Sequence, residues 1–310
     1  MLTSKSAGIN MKHGLMCKII IIWLMTLTTG CNSAPIPHFD ADNAFLYLEK
    51  QCAFGPRIPG SAAHQQCRDY LVSTLQLYAD QVTTQPFMFT FGKPAKSVTA
   101  TNIIAAFQPQ KRDRILLCAH WDTRPWADMD KDPKNHNQPV IGANDGASGV
   151  AVLLEIAKIL HSQKPEIGID IVLFDAEDAG EYNVDESWAQ GSAAFVRQYR
   201  GKLTPRYGIL LDMIGDADLN VYKEGFSNEY AKPIVDLVWQ QAAALGIREF
   251  IPEVRHIVTD DHLAFLKAGI PCIDIIDFDY PWWHTIHDTP DKCSPASLGK
   301  IGAVLVHLIY

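Results

Sequence analysis

Cysteine is scarce in this chain, with seven residues in 310 and no two at CxxC spacing. With Cys17 in a leader and Cys31 modified, five would remain, and an odd number cannot all pair. A framework held entirely by disulfides is therefore excluded. Cys118 and Cys272 sit in apolar stretches where a buried thiol is expected, and Cys52 and Cys67 could pair in an oxidising compartment. Positive charge is also in deficit. The 27 Lys and Arg against 35 Asp and Glu leave a net charge of −8, which argues against nucleic acid or an anionic bilayer as a partner. The apolar run at 19–27 is too short for the ~20 residues that a bilayer core requires. Repeats, low-complexity tracts and internal linkers are missing too, so a chain that is 47% hydrophobic reads as one folded domain.

What is present begins with a leader. Lys12, His13 and Lys18 precede the apolar run and Thr28-Thr29-Gly30-Cys31 follows it, the order of a secretory signal. The Gly30-Cys31 junction resembles a bacterial lipobox. That resemblance implies a signal peptide over 1–30, lipid on Cys31, a tether over 31–39 and a catalytic domain over 40–310. The expected location is the periplasmic side of a bacterial membrane.

Along that domain, Asp40 and Ser61 open two helices. Between them Phe54-Gly55-Pro56-Arg57-Ile58-Pro59-Gly60 forms a rigid turn, with Arg57 either a surface charge or a residue at the rim of a site. Strands are expected at 82–91 and 101–107 as a hairpin, then at 115–119, 169–174, 207–211 and 271–276. Helices are expected over 148–160, from 192, over 228–245, after Asp260 through Phe265, and from Ser294-Pro295. A long polar loop spans 121–140. Strands alternating with helices after an initial hairpin predict one α/β domain with a mixed sheet.

The chemistry-bearing side chains gather where these strands end. His120 and Asp122 follow the strand at 115–119, Glu177 and Asp178 follow that at 169–174, and Asp212 follows that at 207–211. Asp274 lies within the last strand, His284 comes just past it, and Asp145 opens a helix. Ligands of open α/β sheets bind outside the carboxyl ends of the strands, so these residues are expected to converge. Any one alone would more often be a cap or a turn residue. Together they supply the carboxylate oxygens and imidazole nitrogens that a catalytic zinc needs.

Several segments appear in order: His120-x-Asp122, Gly142-Ala143-Asn144-Asp145-Gly146-Ala147-Ser148-Gly149, Phe174-Asp175-Ala176-Glu177-Asp178, Leu211-Asp212-Met213-Ile214-Gly215 and Trp283-His284-Thr285. This ordered set, from about Ala44 onward, resembles the zinc aminopeptidase superfamily. Within it, Asp260-Asp261-His262-x-x-Phe265-Leu266 and the Trp before His284 resemble the glutaminyl cyclases. The resemblance implies a three-layer α/β/α sandwich with a central mixed, mostly parallel sheet. It implies one Zn²⁺ per chain on Asp145, Asp178 and His284, with Glu177 as proton shuttle supported by Asp212 and Asp260. Asp178 replaces the Glu of animal cyclases, and Asp274 stands where those place His. Asp274 is thus a further network member or a mid-strand polar residue facing solvent. His120 is a ligand if two metals bind and a spectator if one does.

Tryptophans 121, 126, 188, 282 and 283 lie on loops near the expected crevice. Trp283 resembles the cyclase residue lining the substrate pocket, with Trp188 and Trp126 as further wall candidates. His256, His262 and His287 carry no ligand motif, and capping or surface roles are expected for them. The implied reaction converts the N-terminal glutamine of peptides or proteins to pyroglutamate with release of ammonia. The alternatives are an aminopeptidase with two zincs and a non-catalytic peptide-binding lipoprotein.

Overall fold

The computed structural model describes residues 35–199 and 204–310. The expected signal peptide and Cys31 lie outside the described residues. Ile36–Tyr310 is one compact unit.

Helix α1 (Ala41–Cys52) starts where the Asp40 carboxylate accepts the Asn43 amide, and α2 (Ala62–Gln76) where the Ser61 hydroxyl accepts that of His64. Both caps satisfy amides that a first helical turn leaves free. Strands β1 (Gln81–Phe91) and β2 (Lys96–Phe107) form the expected hairpin, in register from Gln81 against Ala106 to Phe91 against Lys96. Then follow β3 (Arg114–His120), α3 (Ser148–Ser162), β4 (Gly168–Phe174), α4 (Gln190–Tyr199) and β5 (Gly208–Asp212). The chain continues through β6 (Val221–Lys223), α5 (Gly225–Tyr230), α6 (Lys232–Ala244), β7 (Phe250–Val254), α7 (His262–Lys267), β8 (Cys272–Ile276) and α8 (Pro295–Ile309).

Two features depart from the expected elements. The helix anticipated over 228–245 is two helices, broken at Ala231 (φ −134°) with Pro233 in the first turn of α6. Proline has no amide to donate to a preceding turn, so it begins a helix rather than continuing one. The second is a small parallel sheet of β6 and β7, whose strands are too short to stand out as apolar alternation. Cys52 and Cys67 are both buried and unpaired. Among the described residues no helix is long and apolar enough to cross a membrane.

The main sheet runs β1-β2-β4-β3-β5-β8. β2 is antiparallel to β1 and β4, whereas β4, β3, β5 and β8 are mutually parallel along the order. Alternation along the strands separates two cores. Ile115, Leu117, Ile171, Leu173, Ile209, Leu211, Ile273 and Ile275 face the larger one, which also takes side chains from α1, α2, α3, α6 and α8. Leu116, Cys118, Val172, Phe174, Leu210 and Cys272 face the other, with Phe195 of α4 and Phe265 of α7. This is the three-layer sandwich. Because side chains alternate with a period of two, His120, Asp212 and Asp274 share the face of the second core. From β3 the chain passes first to β4 on one side and then to β5 on the other, and that reversal opens a crevice at the carboxyl end of β3.

A candidate metal centre at the strand ends

The loops that carry the acids are held by other buried polar groups. Asp122 accepts the amides of Glu177 (3.1 Å) and Asp178 (3.2 Å), one on each oxygen. Asp288 accepts those of Asn144 (2.8 Å) and Asp145 (3.1 Å) and the Tyr280 hydroxyl (2.8 Å). Arg57 is neither a surface charge nor a rim residue. Fully buried, it donates to the carbonyls of Trp121 (3.0 Å), Ile141 (2.6 Å) and Gly142 (2.7 Å), and so joins the segments that bear Asp122 and Asp145. Ala176, Met213 and His284 have positive φ, which strains a residue with a side chain by roughly 1–3 kcal/mol. Each lies at or beside a chemical residue. Gly146, at φ +103°, packs so closely on the Asp122 carbonyl that no Cβ would fit there.

These constraints bring the expected ligands together. Oxygen and nitrogen atoms of Asp145, Asp178 and His284 all lie within 4.8 Å of one another, and the three residues are buried. His284 Nε2 stands 2.9 Å from Asp178 Oδ1 and 3.5 Å from Asp145 Oδ2. Asp145 Oδ2 and Asp178 Oδ2 are buried with no hydrogen-bond partner. Orphaned carboxylate oxygens beside an imidazole fit a zinc-type cation. On the other side of the ring, Nδ1 of His284 lies 2.8 Å from the Tyr182 hydroxyl, which fixes the orientation of the imidazole. A second group, His120, Asp145 and Asp212, also lies within 4.8 Å. There His120 Nε2 is 3.1 Å from both Asp212 Oδ1 and Asp145 Oδ1, so these groups already pair with one another.

Burial decides the protonation of the acids. It pushes Glu177 well above the usual carboxylate range, with the neighbouring Asp260 charge adding to it. Burial raises Asp178 to about 6, assisted by Asp145, and Asp212 to about 7, where Asp260 adds and His120 opposes. Asp145 is buried as well, yet the His120 hydrogen bond and charge hold it below its ordinary value. His120 is itself raised well above a free imidazole, because Asp212, Asp122 and Asp145 outweigh its burial. Neighbouring carboxylates in one low-dielectric site cannot all ionise, so they share protons.

Asp274 does not face solvent. It is fully buried beside Asp260 and His262, with atoms of all three within 4.8 Å. Burial raises Asp274 well above its usual range, and Asp260 and Asp212 add to the effect. His262, expected at a cap or the surface, is fully buried too. Its Nε2 is 3.2 Å from Glu224 Oε2, and its Nδ1 is 4.0 Å from Asp274 Oδ2. Glu224 is held down at about 2 despite its burial by His262 and by the Ser227 amide. A buried His–Glu contact thus stands behind the acids. Its His was visible in Asp260-Asp261-His262, but its Glu, far off in sequence, left no signal.

The crevice is a cavity of about 210 Å³ lined by Asp145, Glu177, Asp178, Asp212, Asp260 and His284 on its polar side. Trp188, Trp283, Tyr182, Phe278, Ile257 and Val258 make the apolar wall. Trp283 stacks on His284 at 3.9 Å, and Trp188 lies parallel to it at 6.1 Å. Trp126 is not in this wall. It borders an adjacent basin with Lys93, Arg124 and Asp128, because its ring packs against Phe91 and over the Arg124 guanidinium. Arg124, missed in the sequence, donates to the carbonyls of Asp178 (2.9 Å) and Gly180 (2.8 Å). It sits under the rings of Trp126, Tyr182 and Trp188. Trp121 belongs to the core, stacked on His64.

Sheet order, strand-end crevice and donor set define an α/β metalloenzyme of the zinc-exopeptidase type. The model of Peptidase family M28 matches residues 102–309, and the chain belongs to that family. It is similar to a solved glutaminyl cyclase from Bacteroides thetaiotaomicron, at 42% identity over 89% of this chain and 99% of that one, with a TM-score of 0.85. A structure described as a leucine aminopeptidase precursor from the same organism gives 42% identity, 90% and 99% coverage and a TM-score of 0.86. The glutaminyl-peptide cyclotransferase of Bos taurus is 24% identical over 287 residues, covering 80% of this chain and 76% of its own.

Asp122→Asn can accept only one of the two amides that Asp122 holds. It is expected to lower kcat/KM about 10–100-fold while circular dichroism still reports a folded chain. Acids raised by folding bind more protons in the native than in the unfolded state, so stability falls as pH rises between the two pKa values. With Asp212, Asp277 and Asp288 each at about 7, chelator-treated protein should melt at a higher temperature at pH 5 than at pH 8. Calorimetry showing the reverse order would contradict these protonation states.

Proposed function

We propose that this chain is a zinc-dependent glutaminyl-peptide cyclotransferase. It converts the N-terminal glutamine of peptides or proteins to pyroglutamate and releases ammonia. The observation that carries this reading is the likeness to a solved bacterial glutaminyl cyclase over almost its whole length, joined to a buried base in an aromatic crevice.

Asp145, Asp178 and His284 would hold one Zn²⁺, which when bound supplies a Lewis acid for the γ-carbonyl oxygen. Glu177, 8% exposed, takes a proton from the α-amine as its nitrogen bonds to the side-chain carbonyl carbon (Cδ). It returns that proton to the amide nitrogen as the old carbon–nitrogen bond breaks and ammonia leaves. Raised basicity suits a group that must both accept and donate near neutral pH. Asp212, Asp260 and Asp274 keep a shared proton close to it. Trp188 and Trp283 exclude water, so the internal amine is the available nucleophile.

A second reading, an aminopeptidase with two zincs, is favoured by the His120, Asp145 and Asp212 group. The pairing of His120 with Asp212 and the orphaned oxygens of Asp145 and Asp178 support a single ion instead. Metal analysis is expected to give one zinc per chain, and Gln-Ala to release ammonia while Leu-p-nitroanilide stays intact. Glu177→Gln should retain zinc and lose turnover at least 100-fold. Two zincs with release of free N-terminal residues would overturn the cyclase reading.

The proposal extends to the leader. The basic, apolar and Gly30-Cys31 segments support export and lipidation at Cys31, with the domain on the periplasmic side of a bacterial membrane. Radiolabelled palmitate should enter the wild-type chain in a bacterial host and not Cys31→Ser; equal labelling would refute the anchor.

A further inference from the structure

A peptide whose first residue occupies the crevice must carry its remaining chain out over the rim. On one side the rim is Tyr182. Its hydroxyl meets His284, its ring packs near Trp188 and Trp283, and the Arg124 guanidinium lies against it. Beyond Tyr182 is the charged basin of Lys93, Asp128 and Glu181. On another side the rim is formed by Asp185 and Thr259, and both also line a separate groove of about 400 Å³. Phe226 and Tyr230 of α5 and Leu263 and Leu266 of α7 make that groove apolar, with Lys267 bounding it.

The groove is built as a rigid continuation of the crevice. Glu224 accepts the amides of Phe226, Ser227 and Val258, which ties the start of α5 to the residue beside Thr259. Phe226 and Tyr230 stack at 6.4 Å and 21°. Leu263 follows the Asp260-Asp261 pair by one turn of chain, so one wall of the groove and the acids of the crevice share a backbone segment. Tyr230 is 62% exposed, and Ile257, on the crevice wall, is 72% exposed. Large apolar side chains left in water around one track mark a surface that an apolar partner covers.

We infer that this groove is the subsite for the third residue of the peptide substrate and selects an apolar side chain there. The inference rests on the cyclase reading for the position of the first residue. An extended chain advances by about 3.3–3.6 Å per residue, so the second residue crosses the rim at Thr259 and the third reaches the aromatic pair. Specificity thus comes from the mature chain of the target beyond its glutamine, and short polar dipeptides use the crevice alone.

Ammonia release from Gln-Ala-Phe-amide and Gln-Ala-Leu-amide is compared with that from Gln-Ala-Ser-amide and Gln-Ala. Wild-type kcat/KM is expected to be about 10-fold higher for the apolar tripeptides, with the gain in KM. Tyr230→Ser and Leu263→Ser should each erase that difference and leave Gln-Ala unchanged. Equal kcat/KM for the Phe and Ser tripeptides in the wild type would overturn the subsite, as would a preference that survives both substitutions. If no substrate releases ammonia, the cyclase reading fails on its own. The groove is then read from tryptophan fluorescence of the zinc-loaded Glu177→Gln protein titrated with the Phe and Ser tripeptides. Tighter binding of the Phe peptide upholds the subsite and equal binding removes it.

Discussion

Mutual repulsion among carboxylates buried in one crevice is the constraint around which the rest of this molecule is arranged. Glu177, Asp178, Asp145, Asp212, Asp260, Asp261 and Asp274 are all withdrawn from water, and charges so placed cannot be left uncompensated. Three kinds of compensation appear. His120, raised well above a free imidazole, stands between Asp145 and Asp212. Protons are shared among the acids that lack a counter-charge, and burial with the neighbouring charges raises Glu177 and Asp274 above the usual carboxylate range. A cation between Asp145, Asp178 and His284 would complete the balance where oxygen atoms have no other partner.

Such a cluster also requires a backbone that does not yield. A relaxed loop would let the acids turn outward into water. Asp122 and Asp288 each hold two consecutive amides of the acid-bearing loops, and Arg57 holds three carbonyls from two segments. Arg124 does the same for the loop after Asp178 and supports the aromatic wall from beneath. The positive φ at Ala176, Met213 and His284 is tolerated because these contacts over-determine the local conformation. The same arrangement serves either hydrolysis or cyclisation, since both need a polarised carbonyl and a base. What separates them is which nucleophile the wall admits and how many cations the acids hold.

The elements of the fold were largely legible. Apolar stretches ending in acids gave the parallel strands, and Asp40, Ser61 and Ser294 marked helix starts through a hydroxyl or carboxylate that caps free amides. The convergence of Asp145, Asp178 and His284 was legible because each follows a strand end or opens a helix, positions that an α/β sheet brings to one side. Less legible were roles that depend on what a side chain meets. Arg57, expected at the surface or the rim, and His262, expected at a cap or the surface, are fully buried, and Trp126, a candidate for the crevice wall, faces the neighbouring basin.

The physical reason lies in the range of the interactions. Periodicity, capping and strand-end chemistry are properties of neighbouring residues, so the order of elements, the acidic donor set and the family pattern were determined by the chain as written. Burial, by contrast, is set by residues far apart in sequence. The partnership of Glu224 with His262, the contact of Tyr182 with His284, and the groove between α5 and α7 exist only after the layers pack. Protonation follows burial and neighbouring charge, and so the tertiary structure alone decided that Glu177 is raised while Asp145, beside His120, is held low.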